Sequence, residues 1–359
     1  MATKMKYYRR KNLRKRRNKM RREIYVIFQK QNKLSQIQRS LYQKNERVLQ
    51  LIELAKKENF KLKMIFELLN NYSFKNSLPP DQLPSKLPSY LIPVTDFQLN
   101  EGKILGKGGF ATVYEGFFNT ELVAIKKLVI PLESLKPIIN ELILMMSISH
   151  SNIIQLKAIS IGETANNTVT IYVLMEKMDS DLRKTIFGEK RYLTKPQKYK
   201  ILIDILKGLH YLHERNYVHC DLKLQNILLD SNYQAKIADF GLVKSLRSGK
   251  TKQTHIAGYS ERTSSYEYLC EEKVSTKADI WSFGVLMYEF MREKISWENL
   301  NGVQAVAKIS LKTPFFNCNQ KIGNKLEDGM VEACLNYEHG KRPSARELIE
   351  KIEKNLIKA

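Results

Sequence analysis

The stretch from Tyr217 to Gly241, YVHCDLKLQNILLDSNYQAKIADFG, constrains this chain more than any other. It carries two aspartates in different chemical company. Asp221 is followed by Lys223 and Asn226 in a D-x-K-x-x-N pattern, and Asp239 opens Asp239-Phe240-Gly241 after an alternating apolar run from Ala235 to Ala238. In such a set one carboxylate can accept the proton of an attacking hydroxyl while a nearby ammonium offsets developing charge. The other carboxylate, together with an amide oxygen, offers the hard oxygen ligands that magnesium prefers. Phosphoryl transfer from a nucleotide needs this combination.

Two earlier stretches supply what is missing. Residues 104–116, ILGKGGFATVYEG, form a glycine-rich turn whose backbone can lie over phosphates without side-chain obstruction. Val123-Ala124-Ile125-Lys126 alternates as a strand does, which puts Ala124 and Lys126 on one face. In PIINELILMMSIS, Leu142, Met145, Met146 and Ile148 supply the apolar face of a helix that also carries Glu141.

These stretches resemble the eukaryotic protein kinases. The wording of VHCDLKLQNILLD and ADIWSFGVLMYEF is similar to the tyrosine-kinase-like group, whose members are mostly Ser/Thr-specific. The resemblance covers about 265 of the 359 residues. It implies an α+β, bilobal kinase fold, with a β-rich N-lobe and a helical C-lobe, over residues 95–357. It also implies ATP and Mg2+ as the reactants to be held, and a protein Ser or Thr hydroxyl as acceptor. Asp221 would be the base, Lys223 would steady the transferring group, and Lys126 would pair with the α- and β-phosphates while held by Glu141. Asn226 and Asp239 would bind the metal. Leu105, Gly106, Lys107, Gly108, Gly109, Phe110, Ala111, Thr112, Val113, Ala124 and Leu228 would enclose the nucleotide. Met175 would be the gatekeeper, and the backbone of Glu176 and Met178 would meet the adenine edge. Asp279 would bind the backbone of the catalytic loop, and Glu267 would pair with Arg342.

Three positions depart from the family pattern. Ala111 stands in place of the third glycine, and Ser265-Tyr266-Glu267 stands where kinases usually show Ala-Pro-Glu. Cys220 stands where most of the family has arginine, and a thiol has no charge to pair with a phosphorylated activation loop. Activation through phosphate on Ser245, Ser248, Thr251 or Thr254 should therefore be weakened or absent. A pseudokinase scaffold is the rival reading. Against it stand Lys126, Glu141, Asp221, Lys223, Asn226 and Asp239, all intact.

Charge separates the front of the chain from this body. The net charge is +23, and residues 1–94 hold 23 Lys/Arg against 6 Asp/Glu. Residues 1–22 contain twelve Lys/Arg and no acid, a run that repels itself and suits a nucleic acid, an acidic lipid or an import receptor, or else stays a solvated tail. Residues 23–73 read as helical. Apolar residues recur every seventh place at Leu34, Leu41, Val48, Ala55, Leu62 and Leu69, as for a coiled-coil homodimer through 24–69 or a helix packed on the chain's own body. Residues 74–94 hold Pro79, Pro80, Pro84, Pro88 and Pro93 and read as a stiff linker. The expected fold is thus preceded by a basic helical N-terminal extension. The four cysteines are scattered, with no metal-binding spacing, and no apolar run reaches the ~20 residues of a membrane span. The sequence reads as that of a cytoplasmic protein, with the nucleus open to it.

Overall fold

β-branched and aromatic residues crowd the stretch from Phe97 to Glu176, as in YVLM and VAIK, and there the chain builds one antiparallel sheet. The computed structural model describes residues 90–108, 111–131, 134–165, 168–246, 252–253 and 260–356. Its first strands are β1 (Phe97–Lys107), β2 (Ala111–Phe118), β3 (Glu121–Pro131), β4 (Leu156–Ala165) and β5 (Thr168–Glu176), in the spatial order β1-β2-β3-β5-β4. Val123 and Ile125 of β3 pack with Phe97, Ala158 and Leu174. Ala124 and Lys126, on the alternate face, stay half-buried. One helix, α1 (Leu135–Ser147), interrupts the strands and buries Leu142, Ile143, Met145 and Met146.

Beyond Glu176 helices take over. Helix α2 (Lys195–Glu214) begins one residue before Pro196, because Thr194 caps it: the Gln197 N–H donates to Thr194 Oγ1 (3.4 Å) and the Thr194 N–H donates to Gln197 Oε1 (2.8 Å). Helices α3 (Tyr266–Glu271) and α4 (Thr276–Arg292) follow, then α5 (Gly302–Ser310), α6 (Phe315–Cys318), α7 (Lys325–Cys334) and α8 (Ala345–Leu356). Every residue of α4 from Ala278 to Phe290 is buried, so this helix is the core of the lobe rather than a surface element. Helix α2 packs against both α4 and α8, and α7 packs on α4.

Short strands carry the loops of interest across this helical base. β6 (Ser180–Asp181), β8 (Ile227–Leu229) and β9 (Ala235–Ile237) form one small sheet, and β7 (Tyr217–Val218) pairs with β10 (Lys244–Ser245). Residues 1–89, which hold the basic tail, the heptad segment and most of the linker, lie outside the described residues, as do Gly109, Phe110, Ser248, Thr251 and Thr254. Among the described residues no helix is long and apolar enough to cross a membrane.

Candidate active site

The alternation of β3 aims Lys126 away from the Val123–Ile125 core, and its ammonium meets Glu141 of α1. The Nζ–Oε1 distance is 2.8 Å, and the Glu141 side chain is only 8% exposed. Asp239 Oδ1 lies 3.7 Å from the same ammonium. Burial alone would lower the Lys126 pKa, but the Glu141 and Asp239 carboxylates outweigh it and hold the ammonium above its ordinary value. Asp239 sits in the left-handed region (φ 64°) with its side chain half exposed, whereas Phe240 beside it is buried. A Cβ on Gly241 would lie 3.6 Å from Asp239 Oδ1 and 3.7 Å from Glu141 Oε2, so the three residues share one small space.

The second carboxylate is fixed from several sides. Lys223 Nζ donates to Asp221 Oδ2 (2.7 Å), and Asn226 Nδ2 donates to the Asp221 carbonyl (2.8 Å) and to Oδ2 (3.0 Å). With the amide nitrogen so committed, Asn226 keeps its oxygen for another partner. The two carboxylate loops are stitched together: the Ala238 N–H donates to the Asn226 carbonyl (2.9 Å), and His219 Nε2 bonds the Ala238 carbonyl (3.2 Å). His219 Nδ1 accepts from the Asp221 N–H (3.3 Å), so this buried ring is used up as a brace. Lys126, Glu141 and Asp239 thus form one polar cluster, and Asp221, Lys223 and Asn226 a second, on loops joined by the Ala238–Asn226 backbone bond.

Beneath these clusters lies Asp279 of α4, 0% exposed. Its Oδ2 accepts from the His219 N–H (2.8 Å) and bonds His213 Nε2 (2.8 Å), and its Oδ1 accepts from the Cys220 N–H (2.9 Å). Cys220 has φ 64°, a left-handed conformation that costs a side-chain-bearing residue energy. Its thiol packs with Val218, Leu246, Tyr268 and Val274, an apolar pocket; burial, then the Asp279 charge, pushes its pKa well above the ordinary value.

Most of the residues expected to enclose a nucleotide lie on paired strands. The Gly108 N–H donates to the Ala111 carbonyl (2.8 Å), so the hairpin closes with alanine at this position. Gly106 pairs with Val113 and Lys107 with Thr112 across β1 and β2, Val113 pairs with Lys126 across β2 and β3, and Ala124 pairs with Met175 across β3 and β5. A Cβ on Gly106 would meet nothing within 4 Å, and Leu105 beside it is exposed. Leu228 is half-buried between buried Ile227 and Leu229, hence on the opposite face of β8. At the end of β5 the Glu176 N–H donates to the Gln155 carbonyl (3.1 Å), and the Met178 carbonyl accepts from Lys177 Nζ (2.9 Å).

Two features escaped the sequence. Ser260 Oγ donates to Asp221 Oδ1 (2.5 Å) and accepts from Lys223 Nζ (3.1 Å), which brings the polar stretch ahead of Glu267 into the site. The signal available was a hydroxyl residue seven places before Glu267. The Glu176 side chain, ignored as irrelevant to backbone recognition, is clamped by Lys236 Nζ at 2.8 and 2.7 Å and accepts the Gln155 N–H at 2.7 Å. Nothing local in the sequence pairs residues sixty places apart. Farther along, Arg342 meets Glu267 through two bonds of 2.6 and 2.8 Å.

Comparison with known proteins agrees with this geometry. A family model described as protein tyrosine and serine/threonine kinase matches residues 99–352. Chitin elicitor receptor kinase 1 of Physcomitrium patens is 36% identical over 201 residues, 54% of this chain and 30% of that protein. Serine/threonine-protein kinase CTR1 of Arabidopsis thaliana is 29% identical over 273 residues, 75% of this chain and 32% of that protein. The chain therefore spans about a third of the length of these two relatives.

Proposed function

Because the chain belongs to the protein tyrosine and serine/threonine kinase family, we propose that it is a working protein kinase that moves the γ-phosphoryl group of ATP to Ser or Thr hydroxyls of protein substrates. The observation that carries this reading is the Lys126 ammonium between Glu141 and Asp239, with the Asp221–Lys223–Asn226 cluster joined to the Asp239 loop by the Ala238–Asn226 backbone bond. Asp221 accepts the proton of the incoming hydroxyl, and Lys223, already 2.7 Å from its carboxylate, balances charge on the transferring group. Lys126 holds the α- and β-phosphates, with Glu141 keeping the ammonium in place. The adenine edge is read by the Glu176 carbonyl and the Met178 N–H, since the Glu176 N–H and Met178 carbonyl are otherwise engaged.

The donor set suits magnesium. With its amide nitrogen bonded to Asp221, Asn226 offers its amide oxygen, and Asp239 offers a carboxylate. That matches an ion that keeps water and phosphate oxygens in its shell. Asn226 Oδ1 and the Asp239 carboxylate would hold it, and when bound it neutralises charge on the phosphate oxygens.

Cys220 supports control without phosphate–arginine pairing. Its pocket joins β7 to Leu246 and Tyr268 by apolar contact, which orders the start of the activation segment without charge. For residues 1–89 the readings are an anionic partner for the tail and a dimer through the heptads. Binding that weakens with salt tests the first; sedimentation tests the second.

Phosphate transfer to a generic protein substrate tests the activity, comparing the full chain with Asp221→Asn and Lys126→Met. Each substitution should lower the rate by roughly 10²-fold or more. A full chain that transfers no phosphate, or variants that match it, would give the scaffold reading the field.

A further inference from the structure

The loop from Ser260 to Glu267 starts at the base and ends in the lobe's interior. Ser260, bonded to Asp221 Oδ1, borders the place where an acceptor hydroxyl would reach the base. The middle of this loop is well held: the Arg262 guanidinium donates to the carbonyls of Ser296 (2.8 Å), Trp297 (2.9 Å) and Leu300 (2.7 Å), and Ser282 Oγ donates to the Thr263 carbonyl (2.8 Å). Ser265 is extended (φ −78°, ψ 159°), and Tyr266 then opens α3. That first helical position favours proline, whose fixed φ is pre-organised and whose missing N–H costs nothing there. Tyrosine presets nothing, so at this position the contacts of its ring add to what Arg262 and the Glu267–Arg342 pair hold on either side.

The ring is held on two sides. Lys312 Nζ sits 4.3 Å from its centroid, and Tyr337 meets it nearly perpendicular (81°) at 6.0 Å. Tyr337 in turn packs on buried Trp281 at 5.1 Å, and the Arg342 guanidinium lies 4.9 Å from the Trp281 ring. The Tyr337 hydroxyl donates to the Thr313 carbonyl (2.8 Å), which anchors the turn that carries Lys312. The column thus runs from an otherwise exposed lysine down to the Glu267–Arg342 pair, three rings in contact with a cation at each end.

We propose that Tyr266 is a positioning residue for the protein substrate, fixing the loop that carries Ser260 against the Lys312–Thr313 turn through this cation–aromatic column. The inference rests on the kinase reading and deepens it. It makes the substrate loop depend on the end of α5, a surface segment that supplies nothing to phosphoryl transfer itself.

The test measures KM for a protein substrate and for ATP in the full chain, with native-state hydrogen exchange alongside. Tyr266→Ala should raise KM for the protein substrate about tenfold, the size of one cation–aromatic and one ring-edge contact, with KM for ATP within about twofold. Tyr266→Phe should keep wild-type values, Lys312→Met should cost about threefold, and Tyr266→Pro should recover most of the alanine loss. The amides of Thr263, Ser264 and Leu269, which bond the carbonyls of Ser260 and Ser265, should exchange faster in Tyr266→Ala while those of β3 do not. A wild-type KM with unchanged exchange in Tyr266→Ala overturns the inference, as does an equal rise in both KM values. Should Tyr266→Ala not fold, Lys312→Met decides by the same two readouts. Should the full chain transfer no phosphate, the kinase reading fails, and the exchange of these three amides still decides the role of Tyr266.

Discussion

Replacing Arg342 with methionine gives the sharpest test of what holds the helical lobe together. The guanidinium makes two bonds to Glu267, of 2.6 and 2.8 Å, and donates to the carbonyls of Asn336 (2.7 Å) and Lys277 (2.8 Å). The Arg342 and Glu267 side chains are 0% and 2% exposed, so salt and water do not dilute the pair. Methionine fills much of the volume but leaves a buried carboxylate without its counter-charge. Breaking one side of such a pair costs about 3–5 kcal/mol, far above the 0–1 kcal/mol of a surface bridge. At roughly 2–4 °C per kcal/mol for a domain of this size, Tm should fall by about 6–20 °C. The companion double variant, Glu267→Leu with Arg342→Met, removes both charges and should lose less than Arg342→Met alone, with a coupling of about 2 kcal/mol. Denaturant unfolding of the wild type, both single variants and the double variant supplies the four corners. A loss under about 1 kcal/mol for Arg342→Met, or additivity within about 0.5 kcal/mol, would refute the reasoning.

Three further outcomes are expected. Burial raises the Glu289 carboxyl pKa despite the Ser296 N–H and Oγ–H bonds, so the folded state favours the protonated form. Stability should therefore fall as pH rises from the ordinary value of 4.5 through the raised one, and the slope should flatten in Glu289→Gln, read by Tm against pH. Native alkylation near pH 8 should label Cys270, which is exposed, well before Cys220 and Cys334; burial lifts the Cys334 thiol to about 12 and Cys220 well above its ordinary value. Peptide mapping by mass spectrometry reads the order, and early labelling of Cys220 would contradict the pocket described for it. Ser260→Thr should transfer phosphate within a few-fold of wild type while Ser260→Ala loses about tenfold, since only threonine keeps a hydroxyl between Asp221 and Lys223.

Much of the site was legible because its residues sit at fixed offsets along short strands and loops. Lys126 faces the cleft because β3 alternates, and Asp221, Lys223 and Asn226 meet because they share one turn of chain. Glu141, Asp279 and the Glu267–Arg342 pair came from the family resemblance, since no local rule links positions so far apart. Ser260 stayed hidden because a polar serine in a polar stretch carries no periodicity. The Glu176–Lys236 clamp stayed hidden because it depends on how β9 lies beneath the end of β5, which only the folded chain decides. The missing proline before Glu267 read as a departure from the family pattern; the folded chain puts there a tyrosine held by a lysine over its face and a second ring edge-on.

Asp279 gives the loop from His219 to Asp221 a foundation inside the helical lobe. Two backbone amides and one imidazole converge on a carboxylate inside α4, and that helix sits wholly within the lobe. The backbone just ahead of Asp221 is therefore held by the lobe's deepest helix, while Lys223, Asn226 and Ser260 hold its side chain. Under the proposed function, the backbone beside the base is thus set by this helix, and the loop that carries Ser260 borders the base on its other side.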